Sequence, residues 1–404
     1  MKIAILGYGN IGSGVAEVLH RNYDYVAKKA GREIDVKYVL DLRDFPGDPL
    51  EKCVVHDIQT IVEDSEISIV VETMGGVRPA YDFVKQCLEK GKSVVTSNKE
   101  LVAEHGAELM ELAEKQGANF LFEASVGGGI PIIRPLNQSV TSDEIYEITG
   151  ILNGTTNFML TRMGKDGVTF DEILKKAQEL GYAERNPEAD IEGKDACRKI
   201  AILSSLAFGA NVEAMDVHTE GITTISDIDM RYASNLGMAI KLFATSRMEK
   251  DRRVFAMVAP VLVKPEHPLY HVDDVMNGIL VRGDVIGDLM FYGAGAGKLP
   301  TASAVVADVI DEACNMDRSI MRRWTKEKLQ LEAFNTCKNA FFVRIKGNTS
   351  ENKQKVKEIF GVETYMELPE LDEFGFLTEE MEEGIFEEKA KKVESVLNRI
   401  RIAR

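Results

Sequence analysis

KIAILGYGNIG, residues 2–12, is a short apolar run that breaks into a G-x-G-x-x-G turn at Gly7, Gly9 and Gly12. Each glycine has a steric task in such a turn. Gly7 allows the tight bend, Gly9 lets the backbone approach a pyrophosphate, and Gly12 lets the next helix pack closely on the strand. Asn10 and Ile11 open that helix, whose N-terminus faces the anion. Glycine turns end many strands for purely structural reasons. This one closes the first strand of an alternating β/α chain, which points to a dinucleotide site.

Outward from that turn, strand-like runs at 35–40, 67–72, 93–96 and 120–124 alternate with helical patterns at 15–29 and 80–90. Short runs rich in Ile and Val, separated by helices, are the sequence form of a parallel sheet buried on both faces. The fold class expected is therefore α/β, a doubly wound Rossmann-type sheet over residues 1–130. A helix starting near Thr301, after a glycine turn and Pro300, returns to complete it at about 300–330.

From residue 144 the texture changes. EIYEITGILNGTTNFML suggests strand, glycine turn and helix, and residues 169–180 an amphipathic helix with an acid pair at its start. Helical patterns at 195–209 and 230–244 alternate with strands near 253–263 and 278–283, so 131–299 is expected to be an α+β catalytic and dimerisation domain. A charged patch, RRWTKEK at 322–328, precedes a tail at 338–404. There the order strand, helix, strand, strand, helix, strand is that of a small ferredoxin-like module.

Composition narrows the function. The 404 residues carry 49 Lys plus Arg against 65 Asp plus Glu, a net charge of -16 that repels phosphate backbones and argues against nucleic-acid partners. No apolar run approaches bilayer-spanning length, which argues against a membrane partner. Five cysteines without a C-x-x-C pair suggest neither a disulfide framework nor a zinc site, and with no signal-like leader a reduced, cytoplasmic setting is expected. The N-x-[ST] match at Asn153 is taken as noise in such a setting.

The chemistry should lie at strand C-termini, where open α/β sheets bind ligands. VETMGG (71–76), VVTSNKE (94–100) and FEASVGGGIPI (122–132) end the later strands and should converge near the nicotinamide, with Lys99 at the right edge. The second strand runs into Asp41 and Arg43. An acid there holds the ribose of NAD and an arginine accommodates the phosphate of NADP, so both cofactors stay open. Asp195 and Lys199 stand i, i+4 on one helix face. Alone they would be a surface ion pair, as Lys99 alone would be a surface lysine. But Gly181, Tyr182, Glu184, Asp190 and Gly193 precede them and gather acids that repel one another unless cations fill the gap. Hydride transfer to an aldehyde leaves an alkoxide, and Lys199 can supply its proton while Asp190 and Asp195 orient the lysine and the reacting oxygen.

These motifs, with GILNGTTNFML, GYAE, DIEGKDACRK and GAGAGKLPTASAV, occur in an order that resembles the homoserine dehydrogenase family from residue 1 to about 330. The resemblance implies NAD(P)-dependent interconversion of L-homoserine and L-aspartate 4-semialdehyde, on the path to threonine and methionine. It implies cofactor and active-site contacts at Thr73 and Lys99, and places Ser97 and Gly295 with the cofactor set. It assigns the substrate to Gly154, Thr155, Tyr182 and Glu184, the last holding the amino group, with Asp190, Asp195 and Lys199 at the reacting oxygen. It also implies a structural Na+ or K+ near Glu123, Val126, Gly128 and Ile130.

Two departures stand out. Leu40 occupies a position that is commonly arginine in the family, which weakens a phosphate clamp. The tail resembles an ACT-type module but has GNTSEN where such modules carry Asp-x-Pro-Gly, so assembly rather than effector binding is its expected task. A homodimer or higher oligomer is the default for such an enzyme. The rival readings are another amino-acid dehydrogenase on the same frame, of aspartate dehydrogenase type, and a nucleotide-sensing regulator without catalysis.

Overall fold

The computed structural model describes residues 1–316, 318–321 and 324–404; Arg322 and Arg323 of the charged patch lie outside the described residues. Strands β1 (Lys2–Leu6), β2 (Asp35–Leu40), β3 (Val54–Val55), β4 (Ile67–Glu72), β5 (Ser93–Thr96) and β6 (Phe120–Leu121) form one sheet in the order β3-β2-β1-β4-β5-β6. The pairings are parallel throughout. Apolar side chains on both faces account for the unbroken hydrophobic runs: Ile3 and Ile5 enter one core with Ile69 and Val71, while Ala4 and Leu6 enter another with Val70 and Val94. Strand order reverses between β1 and β4, which opens a crevice at their C-terminal ends.

The returning helix is Lys298–Asn315, starting three residues before the expected Thr301. Its Ala302, Val305, Val306 and Val309 pack with Val15 and Leu19 of α1 (Asn10–Arg21), completing one face of the sheet. Expectation and structure differ elsewhere. Residues 15–29 are two helices, broken at Asn22. The last strand stops at Leu121 because the chain turns at Glu123–Ser125, where the Glu123 carboxylate takes the backbone N–H groups of Ile132, Ile133 and Arg134.

In the second region β7 (Ile145–Ile151) lies between the strands Met276–Gly283 and Ala239–Met248, with Val254–Val263 beyond. The helix expected over 230–244 is therefore corrected. It runs Asp227–Asn235, Gly237 at φ +67° takes the chain out of helical conformation, and residues from Ala239 form a central strand. The edge strand Gly287–Ala294 was not foreseen.

The tail has strands Phe341–Lys346, Met366–Glu367, Glu373–Leu377 and Val396–Ile402 and helices Ser350–Phe360 and Glu383–Val393. Fourth strand beside first, then third, then second, with antiparallel neighbours, is the ferredoxin-like order. Its sheet is not separate. Val396–Ile402 also pairs in parallel with Val254–Val263, through Val261 with Arg401 and Leu262 with Ile402, so the two sheets are continuous. Buried ions reinforce that seam: Arg401 bonds Glu220 Oε2 at 2.8 Å and Glu383 Oε1 at 2.6 Å, and Arg344 bonds Asp229 Oδ1 at 2.7 Å and Glu373 Oε2 at 2.8 Å.

Candidate active site

At the crevice, Gly7 has φ +88°, and a Cβ there would lie 2.9 Å from the Met74 Cα. A Cβ on Gly12 would lie 2.0 Å from the Gly7 carbonyl oxygen, so the turn closes only on glycine at both positions. A Cβ on Gly9 would meet nothing within 4 Å. That open space borders α1, which begins at Asn10 and Ile11 without a side-chain cap and without an acid in its first turn. Its N–H groups are left to an anion, which fits a pyrophosphate. Thr73, at the end of β4, locks the turn by donating its hydroxyl to the Gly7 carbonyl at 2.8 Å.

Asp41 follows β2 and accepts the Tyr8 N–H at 2.8 Å, while Arg43 Nε approaches its other oxygen at 3.0 Å. The Arg43 hydrogen bond holds the Asp41 carboxyl well below the usual carboxylate range, against partial burial. The acid and the arginine that the sequence sets in opposition are thus one ion pair. Leu40 is buried behind them.

On the other side of the crevice two asparagine caps aim the chemistry. Asn98 caps the helix Lys99–Lys115, accepting from Leu101 N at 3.1 Å, and so fixes Lys99 at its first turn, just after β5 and the half-buried Ser97. Thr96 and Glu72 brace that corner through a 2.5 Å hydrogen bond. After β7, Asn153 caps the helix Gly154–Asp166, its Oδ1 accepting from Thr156 N at 2.9 Å. Its Nδ2 remains free to donate, and reaches both Asp190 Oδ1 at 2.8 Å and Asp195 Oδ2 at 2.9 Å.

Asp195 and Lys199 lie on the helix Lys194–Phe208, which begins after Gly193 at φ +76°. Lys199 Nζ is 2.9 Å from Asp195 Oδ2 and donates to the Leu152 carbonyl at 2.8 Å. Lys99 Nζ meets the other Asp195 oxygen at 2.8 Å, from across the crevice. Asp195 is 4% exposed and Lys199 8%, so this is no surface pair. Burial would raise the Asp195 carboxyl, but Lys199 and Lys99 together hold it well below its ordinary value. Asp190 goes the other way: burial raises it and Asp195 adds to the effect, more than Asn153 and the lysines offset. Asp195 in turn lifts the Lys99 ammonium against its burial. Two neighbouring carboxyls driven apart in this way, one held ionised and one pushed toward its neutral form, are an arrangement suited to acid-base work.

Beside this cluster Thr155 donates to the Tyr182 carbonyl at 2.7 Å, and the Tyr182 ring meets Phe158 edge-on at 5.1 Å. Glu184 is exposed on the same loop. Among the residues that the family resemblance associates with a cation, Glu123 already accepts three backbone N–H groups on its carboxylate, which leaves its carbonyl as the better fit for a metal contact. Val126 and Ile130 are buried, and Gly128, at φ +56°, is pressed so close to Gly295 that a Cβ would lie 2.4 Å from the Gly295 oxygen.

Asn277 backs onto that contact. A Cβ on Gly295 would come within 2.0 Å of its Nδ2, and its buried Oδ1 has no hydrogen-bond partner, a state costing about 1–3 kcal/mol. Sequence reasoning missed Asn153, Glu72 and the Leu152 carbonyl. Asn153 carried a signal, an asparagine directly before a helix.

A glycine turn at the reversal of a parallel sheet, with a Lys–Asp–Lys cluster built on a buried carboxylate, is the arrangement of an oxidoreductase that binds a dinucleotide. Residues 7–123 match the family model "Homoserine dehydrogenase, NAD binding domain", and residues 131–310 match "Homoserine dehydrogenase". A homoserine dehydrogenase of Synechocystis sp. is 46% identical over 318 residues, 77% of this chain and 73% of that relative. The crystal structure of a homoserine dehydrogenase from Thiobacillus denitrificans superposes with a TM-score of 0.92 at 34% identity, covering 100% of this chain and 98% of that one. A hyperthermophilic archaeal homoserine dehydrogenase in complex with NADPH gives a TM-score of 0.65 at 28% identity, covering 77% and 97%.

The chain belongs to the homoserine dehydrogenase family, oxidoreductases that act on CH–OH donors. No helix among the described residues is long and apolar enough to cross a membrane.

Proposed function

We propose that the protein interconverts L-homoserine and L-aspartate 4-semialdehyde with NAD or NADP, and that Lys199 exchanges the proton of the reacting oxygen. The observation that carries the proposal is one buried carboxylate, Asp195, shared by Lys199 from its own helix and Lys99 from the sheet edge. The cofactor is held by Gly7, Gly9, Asn10, Ile11 and Gly12 at its phosphates, Asp41 and Arg43 at its ribose, and Thr73, Ser97, Lys99 and Gly295 further along. When bound, the nicotinamide supplies or accepts the hydride at the substrate carbon.

In the reducing direction the Lys199 ammonium protonates the nascent alkoxide. In the oxidising direction neutral Lys199 takes the hydroxyl proton. Sharing Asp195 serves this step. When Lys199 gives up its proton, Lys99 still faces the buried carboxylate, so no isolated charge is left in the interior. Asp190 and Asp195, tied through Asn153, orient the lysine and the oxygen. Glu184 holds the substrate ammonium, with Gly154, Thr155 and Tyr182 around it. A monovalent cation, Na+ or K+, on the carbonyls of Glu123, Val126, Gly128 and Ile130 would stiffen the bend facing Gly295.

In this reading residues 1–130 with the helix Lys298–Asn315 bind the nucleotide, 131–299 carry catalysis and dimerisation, and 338–404 serve assembly. The enzyme works in the cytoplasm as a homodimer, on the path to threonine and methionine. The test follows nicotinamide absorbance with L-homoserine and either cofactor. Lys199→Ala is expected to lose about 10²–10⁴-fold in kcat, the usual worth of a general acid-base group. Equal turnover by wild type and variant would defeat the mechanism.

A further inference from the structure

Tyr8 stands between Gly7 and Gly9, and two acids from the loop after β2 are tied to it. Asp41 Oδ2 accepts the Tyr8 N–H at 2.8 Å, and Asp48 Oδ1 accepts the Tyr8 hydroxyl at 3.1 Å. The end of β2 is thereby fixed against the turn that fits a pyrophosphate, which is where a Rossmann sheet meets the adenosine ribose. NAD and NADP differ there by one group, a 2′-hydroxyl in the first and a phosphate in the second.

The Asp41 carboxylate also accepts the Arg43 backbone N–H and both Nε and Nη2 of the Arg43 side chain, each at 3.0 Å. The Asp41 side chain is 10% exposed and that of Arg43 62%, so the guanidinium is the partner that an incoming group can displace. Proton donors decide what can take its place. A ribose hydroxyl can donate to a carboxylate, whereas an ionised phosphate carries acceptors alone. A phosphate that drew Arg43 away would face Asp41 itself, whose charge keeps its two backbone N–H partners. The loop adds to the repulsion, since residues 41–53 set Asp41, Asp44, Asp48 and Glu51 against Arg43 and Lys52. Leu40, buried in the sheet, offers no cation from the strand. Resting on the cofactor site just proposed, we infer that Asp41 is its specificity-determining residue and selects NAD over NADP, accepting the ribose hydroxyls in place of the Arg43 guanidinium.

The test is calorimetric titration of the full chain with NAD and with NADP, in the absence of homoserine. Wild type is expected to bind NAD at least about tenfold more tightly, the effect of like charges brought together at a partly screened site. Asp41→Asn keeps an acceptor for the Tyr8 N–H and removes the charge. It is expected to narrow the gap at least about fivefold, chiefly by strengthening NADP; Asp41→Ser stands in if the asparagine variant does not fold. Arg43→Ala is expected to leave the preference for NAD in place. NADP bound as tightly as NAD by wild type would overturn the inference. So would equal loosening of both cofactors in Asp41→Asn, the mark of a residue that merely braces the turn, or a loss confined to NADP in Arg43→Ala, the mark of an arginine clamp. The reaction is judged separately. Wild type that prefers NAD but fails to oxidise homoserine defeats the proposed function and leaves the inference standing, while binding of neither cofactor defeats both.

Discussion

Asn153 does two jobs with one amide. Its oxygen caps a helix and its nitrogen bridges two carboxylates, so the residue that starts the helix also sets the spacing of Asp190 and Asp195. The two jobs can be separated. Asn153→Asp keeps the capping oxygen but sets a third negative charge against the other two, whereas Asn153→Ala removes both functions. Loss of the cap costs about 1 kcal/mol. We expect Asn153→Ala to lower Tm and activity together, and Asn153→Asp to retain cap stability while losing at least about tenfold in kcat; thermal melts beside steady-state rates check both. At this scale the sequence displays the three charged groups that meet at Asp195 and does not display Asn153, whose amide joins them. Asp195 and Lys199 are visible through i, i+4 spacing, and Lys99 through its place after a strand. Asn153 bonds carboxylates about forty residues further along the chain, and no local pattern records that.

Strand and helix positions were legible where both faces of an element are buried or one face alternates cleanly. β1, β2, β4 and β5 appear where short Ile/Val runs put them. Ala239–Met248 was hidden because AIKLFATSRM mixes good helix formers with a lysine, and only pairing with β7 and Val254–Val263 makes it a central strand. Lys241, buried within it, is paid for by the Val272 carbonyl at 2.6 Å and Asp273 at 2.8 Å.

The seam to the tail makes a prediction at this scale. Burial would raise the Glu220 carboxyl, but His218, Arg401 and Arg399 hold it far below its ordinary value of 4.5. A carboxyl depressed in the folded state adds stability above its unfolded pKa, and that stability is lost as pH falls toward the folded one. Glu220→Gln should therefore destabilise the protein at pH 7. The expected cost is roughly 2 kcal/mol, less than for a fully buried pair because Glu220 is 27% exposed. The gap to wild type should narrow as the pH is taken below about 4.5, as melts across that range would show; a gap independent of pH would refute the assignment.

Across the whole molecule, the parallel sheet presents its C-terminal edge to the second region, and the ion pair between Lys99 and Asp195 joins them across the crevice. The sheet offers the glycine turn and Lys99; the second region offers Asp190, Asp195, Lys199 and the loop with Tyr182 and Glu184. The sequence announced both halves, through a glycine pattern in one and an acid-lysine cluster in the other. Their meeting is a tertiary fact. In the same way, the tail is recognisable as βαββαβ from its own residues, but the continuity of its sheet through Val261 and Arg401 is not.

The central claim concerns one nitrogen and one oxygen, and a crystal structure with an oxidised nicotinamide cofactor and L-homoserine tests it most directly. The account predicts that Lys199 Nζ stands within hydrogen-bond reach of the homoserine hydroxyl oxygen, about 2.6–3.2 Å away. A hydroxyl bound by another group, with Lys199 still occupied by Asp195 and the Leu152 carbonyl alone, would contradict it.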